Sequence, residues 1–290
     1  MNRTILQTQD LHFQYPDRTP ALTGISLKLD RGRTTAVLGS NGAGKSTLFL
    51  NLNGILKPTA GAVYFNGRPL DYTRQGLKRL RQAVGMVFQD PDSQLFSASV
   101  AEDVSFGAVN LGLPEAEIRR RVARALHHTG IAHLQEKPTH ALSFGQKKRA
   151  ALAGVLVMEP EALILDEPTA GLDPGGMIDI MNLLEKTKAD LGVAVVLATH
   201  DIDIVPLYCD YVYVLHQGSL VSEGTPDEVF ARADLLRRIN LRLPRIAHLM
   251  EILQQKDGFE FEETPATISR ARRALLNWRR KYACPNRSPD

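Results

Sequence analysis

Nine consecutive residues, Gly39-Ser40-Asn41-Gly42-Ala43-Gly44-Lys45-Ser46-Thr47, have the types and spacing of a phosphate cradle, G-x-x-x-x-G-K-S. Their glycines let the main chain curl until successive N–H groups point inward. The helix that follows adds further donors and the positive end of its dipole. Lys45 is then placed for β- and γ-phosphates and the Ser46 hydroxyl for Mg²⁺. The surroundings fit, because an apolar β-branched run at residues 34–38 precedes the loop and a helix-like stretch at 46–53 follows it.

A second group of residues has chemistry to offer such a phosphate. Ala162-Leu163-Ile164-Leu165 is too short and too β-prone for a buried helix, and it ends in Asp166-Glu167. Two acids at the mouth of a parallel sheet that carries a phosphate loop divide the labour. Asp166 suits the Mg²⁺ shell, and Glu167 can orient and polarise an attacking water. His200 stands two residues beyond another buried run, 193–198, where an imidazole can donate to a γ-phosphate. Gln89 ends the strand-like stretch 84–88, at the edge where parallel sheets place ligand contacts. Spacing alone leaves two positions open. Tyr15 either stacks on an adenine ring or packs on its own strands. Leu142-Ser143-Phe144-Gly145-Gln146, with a helix over 147–158 behind it, is either a second anion site or an ordinary helix N-cap.

Positioning these residues takes an α/β architecture. Residues 3–15 and 21–29 alternate as an antiparallel β-layer leading into the loop strand, and 62–65 followed by Asn66-Gly67 adds a strand and turn. From about 90 to 156 the periodicity is helical, with Ile118, Val122, Ala125 and Leu126 beside the arginines of 119–124, which read as a solvated helix face. Residues 169–173 form a loop and 175–191 a helix. His127, His128, His133 and His140 lack the spacing of a metal site, and Cys209 and Cys284 that of a disulfide framework. With 290 residues, 43% hydrophobic and 23% charged, the chain can bury a sizeable core. It carries neither a membrane-length apolar run nor a signal-peptide core, so a cytosolic location is expected. A net charge of +3 is too small to argue for nucleic acid.

Taken in order, Tyr15, the loop at 39–47, Gln89, residues 142–146, Leu163 to Glu167, Gly171-Leu172-Asp173 and His200 resemble the motif set of an ABC-type ATPase over about residues 3–230. The resemblance implies a P-loop NTPase fold of ABC type, with a mixed RecA-like sheet core, an N-terminal antiparallel β-layer and a helical subdomain at about 90–156. It implies ATP and Mg²⁺ as cofactors, Tyr15 as the adenine-stacking aromatic, and Gln89 as the Q-loop residue with a place near the metal beside Ser46 and Asp166. It makes Ser143, Gly145 and Gln146 the signature, Asp166 and Glu167 the Walker B pair, Asp173 the D-loop acid and His200 the switch histidine. Phe144 departs from the commonest signature, which has glycine there; Ser143 and the Gly145 amide keep their contact provided the ring points away. Two copies are expected to sandwich ATP head to tail, since a signature on its helical arm lies too far from its own P-loop.

A narrower resemblance rests on Leu11-His12-Phe13-Gln14-Tyr15-Pro16, on Gln89-Asp90-Pro91-Asp92-Ser93-Gln94-Leu95-Phe96 and on Ser143-Phe144-Gly145-Gln146-Lys147-Lys148-Arg149. These are similar to the ATPase subunits of energy-coupling factor transporters, the Phe-containing signature to their cobalt and nickel branch. The resemblance implies a motor for a membrane importer of cobalt or a related divalent metal, held at the cytoplasmic face of the membrane by a transmembrane coupling subunit and a substrate-binding membrane subunit. The alternatives are a vitamin importer of the same type and an ABC-type ATPase without a transporter. Asp90 and Asp92 could pair with a partner's arginines or simply form a turn. Residues 231–290 form a helical extension with 13 Lys and Arg against 7 Asp and Glu. Within it, Ile246, Leu249, Met250 and Leu253 fall on one helix face, and Ile268, Ala271, Leu275, Trp278 and Tyr282 on another. One-sided helices need covering, and the resemblance favours a second copy of the chain.

Overall fold

The structure, a computed structural model, describes residues 3–261 and 263–282. The N-terminal alternation gives two long antiparallel strands, β1 (Thr4–Gln14) and β2 (Pro20–Asp30). Next come β3 (Thr34–Leu38), the glycine-rich loop and α1 (Lys45–Leu52). β4 (Ala60–Phe65) turns through Asn66-Gly67 into the short β5 (Arg68–Pro69), completing a four-stranded layer in the order β2-β1-β4-β5. α2 (Arg74–Ala83) runs directly into β6 (Val84–Val87).

The stretch with helical periodicity folds as α3 (Val100–Leu111), α4 (Glu115–His128) and α5 (Phe144–Leu156). On α4 the arginines are held along the helix and to a neighbouring loop: Arg119 pairs with Glu115, Arg120 and Arg121 with Glu117, and Arg121 and Arg124 with Glu159. Hydrogen bonds from Arg120 and Arg121 pull the Glu117 carboxyl down to about 2.

β7 (Ala162–Asp166), α6 (Pro174–Leu191), β8 (Ala194–Ala198), α7 (Val205–Tyr208), β9 (Tyr211–His216) and β10 (Ser219–Gly224) complete a second sheet, in the order β10-β9-β3-β8-β7-β6. Its pairings are parallel except that of β9 with β10. α6 begins at Pro174, one residue before the helix read from the sequence, because proline suits the first helical position and Asp173 caps it.

β3, β7 and β8 are buried along their whole length, which explains their unbroken apolar sequences. Successive residues serve different cores. Ala36, Leu38, Leu163, Leu165, Val195 and Leu197 pack toward the helices; Val37, Ile164 and Val196 pack toward α1 and the antiparallel layer. With both faces covered, the parallel strands can present ligand groups only at their ends. There stand the loop after Leu38, Gln89 just beyond β6, Asp166 as the last residue of β7, and His200 two residues past β8.

The chain continues as α8 (Pro226–Phe230), α9 (Ala233–Arg238), α10 (Arg245–Lys256) and α11 (Ile268–Tyr282). The buried face of α10 shares only Met250 with the stripe read from the sequence. Ala247, Met250 and Glu251 turn inward, Glu251 accepting from Arg237, while Leu249 is half exposed. Of the stripe on α11 only Ala271 is buried; Trp278 packs against Phe259 and Tyr282 instead of an underlying core. Ile246, Leu249, Ile268, Leu275 and Leu276 line an open apolar furrow between the two helices. Among the described residues no helix is long and apolar enough to cross a membrane.

Candidate functional site

The glycine-rich loop is tight because its neighbours leave no room for side chains. A Cβ at Gly39 would meet the Leu215 carbonyl oxygen at 2.6 Å, and one at Gly44, whose φ is 102°, the Ala21 carbonyl oxygen at 2.7 Å. Lys45 opens α1 and folds back over the loop, its Nζ donating to the carbonyls of Gly39 at 2.7 Å and Ser40 at 3.1 Å. Burial pushes this ammonium below its ordinary range, while the carboxylates of Glu167 and Asp166 act the other way. A buried cation resting on exchangeable carbonyl partners is ready for an anion.

The loop floors a cleft of about 720 Å³ that brings together Asn41 to Thr47, Tyr15, Gln89, Asp166, Glu167 and His200. The Ser46 hydroxyl donates to Asp166 Oδ2 at 2.6 Å, so two hard oxygens from opposite walls converge. With the Gln89 side-chain carbonyl on the same cleft, this donor set fits Mg²⁺, which takes oxygen ligands and retains waters. Glu167 follows β7 at φ 50°, a left-handed conformation uncommon for a glutamate, and is 7% exposed. His200 donates to Glu167 Oε2 from both its main-chain N, at 3.2 Å, and its ring Nδ1, at 2.8 Å. Thus the histidine rests on the carboxylate while most of its ring faces solvent. Tyr15 stands at the mouth, edge-on to Phe13, with its hydroxyl 3.0 Å from Thr47 Oγ1. Its ring is half exposed, so packing on the strand leaves a face toward the cleft.

The signature lies elsewhere. Ser143, Gly145 and Gln146 do not line this cleft. Ser143 caps α5 in a reciprocal box, its hydroxyl accepting from Gln146 N at 3.3 Å while Gln146 Oε1 accepts from Ser143 N at 3.0 Å. Asp173 likewise caps α6, accepting from Gly176 N at 2.6 Å. The Phe144 ring turns toward the 169–173 loop, where a Cβ on Gly171 would lie 2.7 Å from it. That leaves Ser143, at the start of α5, exposed.

Sequence reasoning missed Lys148. Its side chain runs under the signature turn, and Nζ donates to the carbonyls of Glu167 at 3.1 Å and Gln89 at 3.2 Å. The Lys-Lys-Arg run after the signature was the available signal, yet nothing in its spacing marks which lysine is buried.

On the far side of the Gln89 loop lies a larger groove, about 880 Å³, lined by Leu77, Met86, Phe88, Phe96, Phe106 and Met158 among others. Phe96 and Phe106 meet edge-on at 4.8 Å and are 65% and 48% exposed. The two acids read as possible partner contacts are committed internally. Asp90 caps a 3-10 turn, accepting from Asp92 N at 3.0 Å, and Asp92 pairs with Lys147 at 2.6 Å.

Comparison with known proteins accords with this geometry. The ABC transporter family profile matches residues 22–170. The chain is 59% identical over 281 residues to the energy-coupling factor transporter ATP-binding protein EcfA3 of Clostridium perfringens, covering 97% of this chain and 99% of that protein. The solved structure of cbiO1 from Clostridium perfringens, part of the ABC transporter complex cbiONQ, matches with a TM-score of 0.76 at 60% identity, covering 87% of this chain and 100% of that one. A dimeric ATP-binding cassette in a post-hydrolysis state, bound to ADP and Pi, matches with a TM-score of 0.70 at 26% identity, over 77% of this chain and 99% of that one. The chain therefore belongs to the ABC-type ATPases, as an ATP-hydrolysing subunit of an energy-coupling factor transporter.

Proposed function

We propose that this subunit powers the import of cobalt or a related divalent cation, and that two copies close head to tail around two ATP molecules to do so. The observation that carries the dimer is the separation within one chain. Lys45, Ser46, Asp166, Glu167 and His200 share one cleft, whereas the solvent-facing signature end of α5 contributes nothing to it. A second copy supplies the missing donors, and the dimeric arrangement of the post-hydrolysis cassette supports this.

In each composite site Tyr15 stacks on adenine, and the amides of residues 39–47 with Lys45 hold the β- and γ-phosphates. Ser46, Gln89 and Asp166 hold Mg²⁺, which when bound neutralises charge on the phosphate oxygens. Glu167 orients and polarises the attacking water, and His200 moves from the carboxylate to donate to the γ-phosphate. Ser143, Gly145 and Gln146 of the other copy contact that same phosphate, with Asp173 beside them. Charge-assisted hydrogen bonds of this kind contribute about 1.5–3 kcal/mol each, so losing the phosphate loosens the dimer. The furrow between α10 and α11 is the place where the C-terminal extensions, residues 231–290, meet across the dimer.

The groove beside Phe96 and Phe106 receives an apolar helix of the transmembrane coupling subunit, which keeps the ATPase peripheral at the cytoplasmic face of the membrane. The cargo touches the membrane subunits only. Its assignment rests on the Phe-containing signature and on 60% identity to cbiO1. Uptake of ⁵⁷Co²⁺ by cells with and without this chain tests it. Cobalt or nickel uptake lost with the chain sustains the assignment; intact metal uptake with lost vitamin uptake overturns it.

A further inference from the structure

Lys148 is 4% exposed, and among the described residues its ammonium makes no ion pair. A buried charge is costly unless its donors are used. Here they meet two main-chain carbonyls and the face of the Phe144 ring, 5.3 Å away. The carbonyls are telling, because Gln89 and Glu167 come from loops after different strands and both line the nucleotide cleft. Glu167 is moreover the residue held at φ 50°. A donor on its carbonyl opposes rotation of the peptide that follows, and so steadies the main chain from which the carboxylate is carried. The third partner, Phe144, belongs to the signature turn, four residues before Lys148 on the same helix.

We infer that Lys148 is a positioning residue for hydrolysis: it clamps the main chains of Gln89 and Glu167 together and fastens both to α5. The clamp touches neither nucleotide nor water in the cleft. It sets the spacing between the Gln89 side chain and the water-activating carboxylate, which matters only once the site is assembled. A residue that merely filled the core would affect stability and leave turnover per folded molecule alone. This inference rests on the assignment of Glu167 made above.

The test uses the full chain with Lys148→Met and Lys148→Arg, measuring kcat, KM for ATP and thermal midpoint. The methionine variant is expected to lose about tenfold or more in kcat while KM stays within about twofold, and arginine, which keeps the charge, to fall between it and the wild type. Should the methionine variant not fold, Lys148→Leu, which likewise removes the donors, gives the same reading. Wild-type kcat per folded molecule in the apolar variant, or a loss confined to KM, overturns the inference. A Glu167→Gln control separates the two ideas. If that variant hydrolyses ATP normally, the role of Glu167 falls; if it is inactive and the Lys148 variants turn over normally, only the clamp falls.

Discussion

Phe88 and Gln89 are consecutive, yet they face different cavities. Phe88 lines the apolar groove of about 880 Å³, and Gln89 the nucleotide cleft of about 720 Å³. The larger space is not the chemical one. The groove gathers Leu77, Met86, Phe96 and Phe106, which gain free energy when any complementary apolar surface covers them. The cleft gathers an ammonium, a hydroxyl, two carboxylates and an imidazole, each already holding a partner that a triphosphate must displace. Only a turn, residues 88–96, separates the two, and it is stiffened from both sides. Gln94 accepts from Phe88 N at 3.2 Å and donates to Ala151 O at 3.3 Å, while Asp92 is tied to Lys147 on α5. A cavity built for affinity through area and one built for charge can thus sit back to back and share a wall.

The most severe challenge to this division is Glu167→Gln. It is expected to lower kcat by about 10²-fold or more while ATP still binds and draws two copies together, read by single-turnover hydrolysis and light scattering. Normal turnover would remove the chemistry from the cleft. Lys45→Ala is expected to weaken ATP binding about 10- to 100-fold, measured by calorimetry, because it removes a charge-assisted contact to the phosphates. Phe106→Asp addresses the groove. Co-purification with the membrane subunits should drop by about tenfold, and undiminished recovery would mean the partner seats elsewhere. Asp92→Asn probes the shared wall with the smallest effect, a change in urea unfolding free energy below about 1 kcal/mol, since its carboxylate is more than half exposed. A shift several times larger would make the pair a main support of the turn.

The cleft was legible in the sequence because each of its groups stands at the end of a short apolar strand or in a turn whose glycines are dictated locally. Leu163 to Glu167 and residues 39–47 identify themselves without knowledge of what lies beside them. The family resemblance added the pairing of distant motifs, which spacing could not supply. The groove was not legible, because Leu77 of α2, Phe106 of α3 and Met158, just past α5, line one cavity only in the folded chain. Lys148 was hidden for the same reason, since its partners lie 59 and 19 residues away. On α10 periodicity found the helix and its buried Met250 but not the rest of the inner face. Ala247, outside that apolar stripe, is wholly buried. Leu249 sits on a side the described residues leave open.

The contact between Phe144 and Gly171 constrains the order in which this chain can change. With the ring in place, even a methyl at position 171 collides at 2.7 Å, and the φ of 76° there adds a backbone objection of its own. Gly171→Ala made first meets both the ring and the backbone strain, whereas after Phe144→Gly only the strain remains; because the Phe144 ring is partly exposed and can turn aside, the strain carries most of the cost. The two positions are therefore coupled through the ring: Phe144→Gly makes room for a side chain at position 171, while Phe144 itself holds that position to glycine.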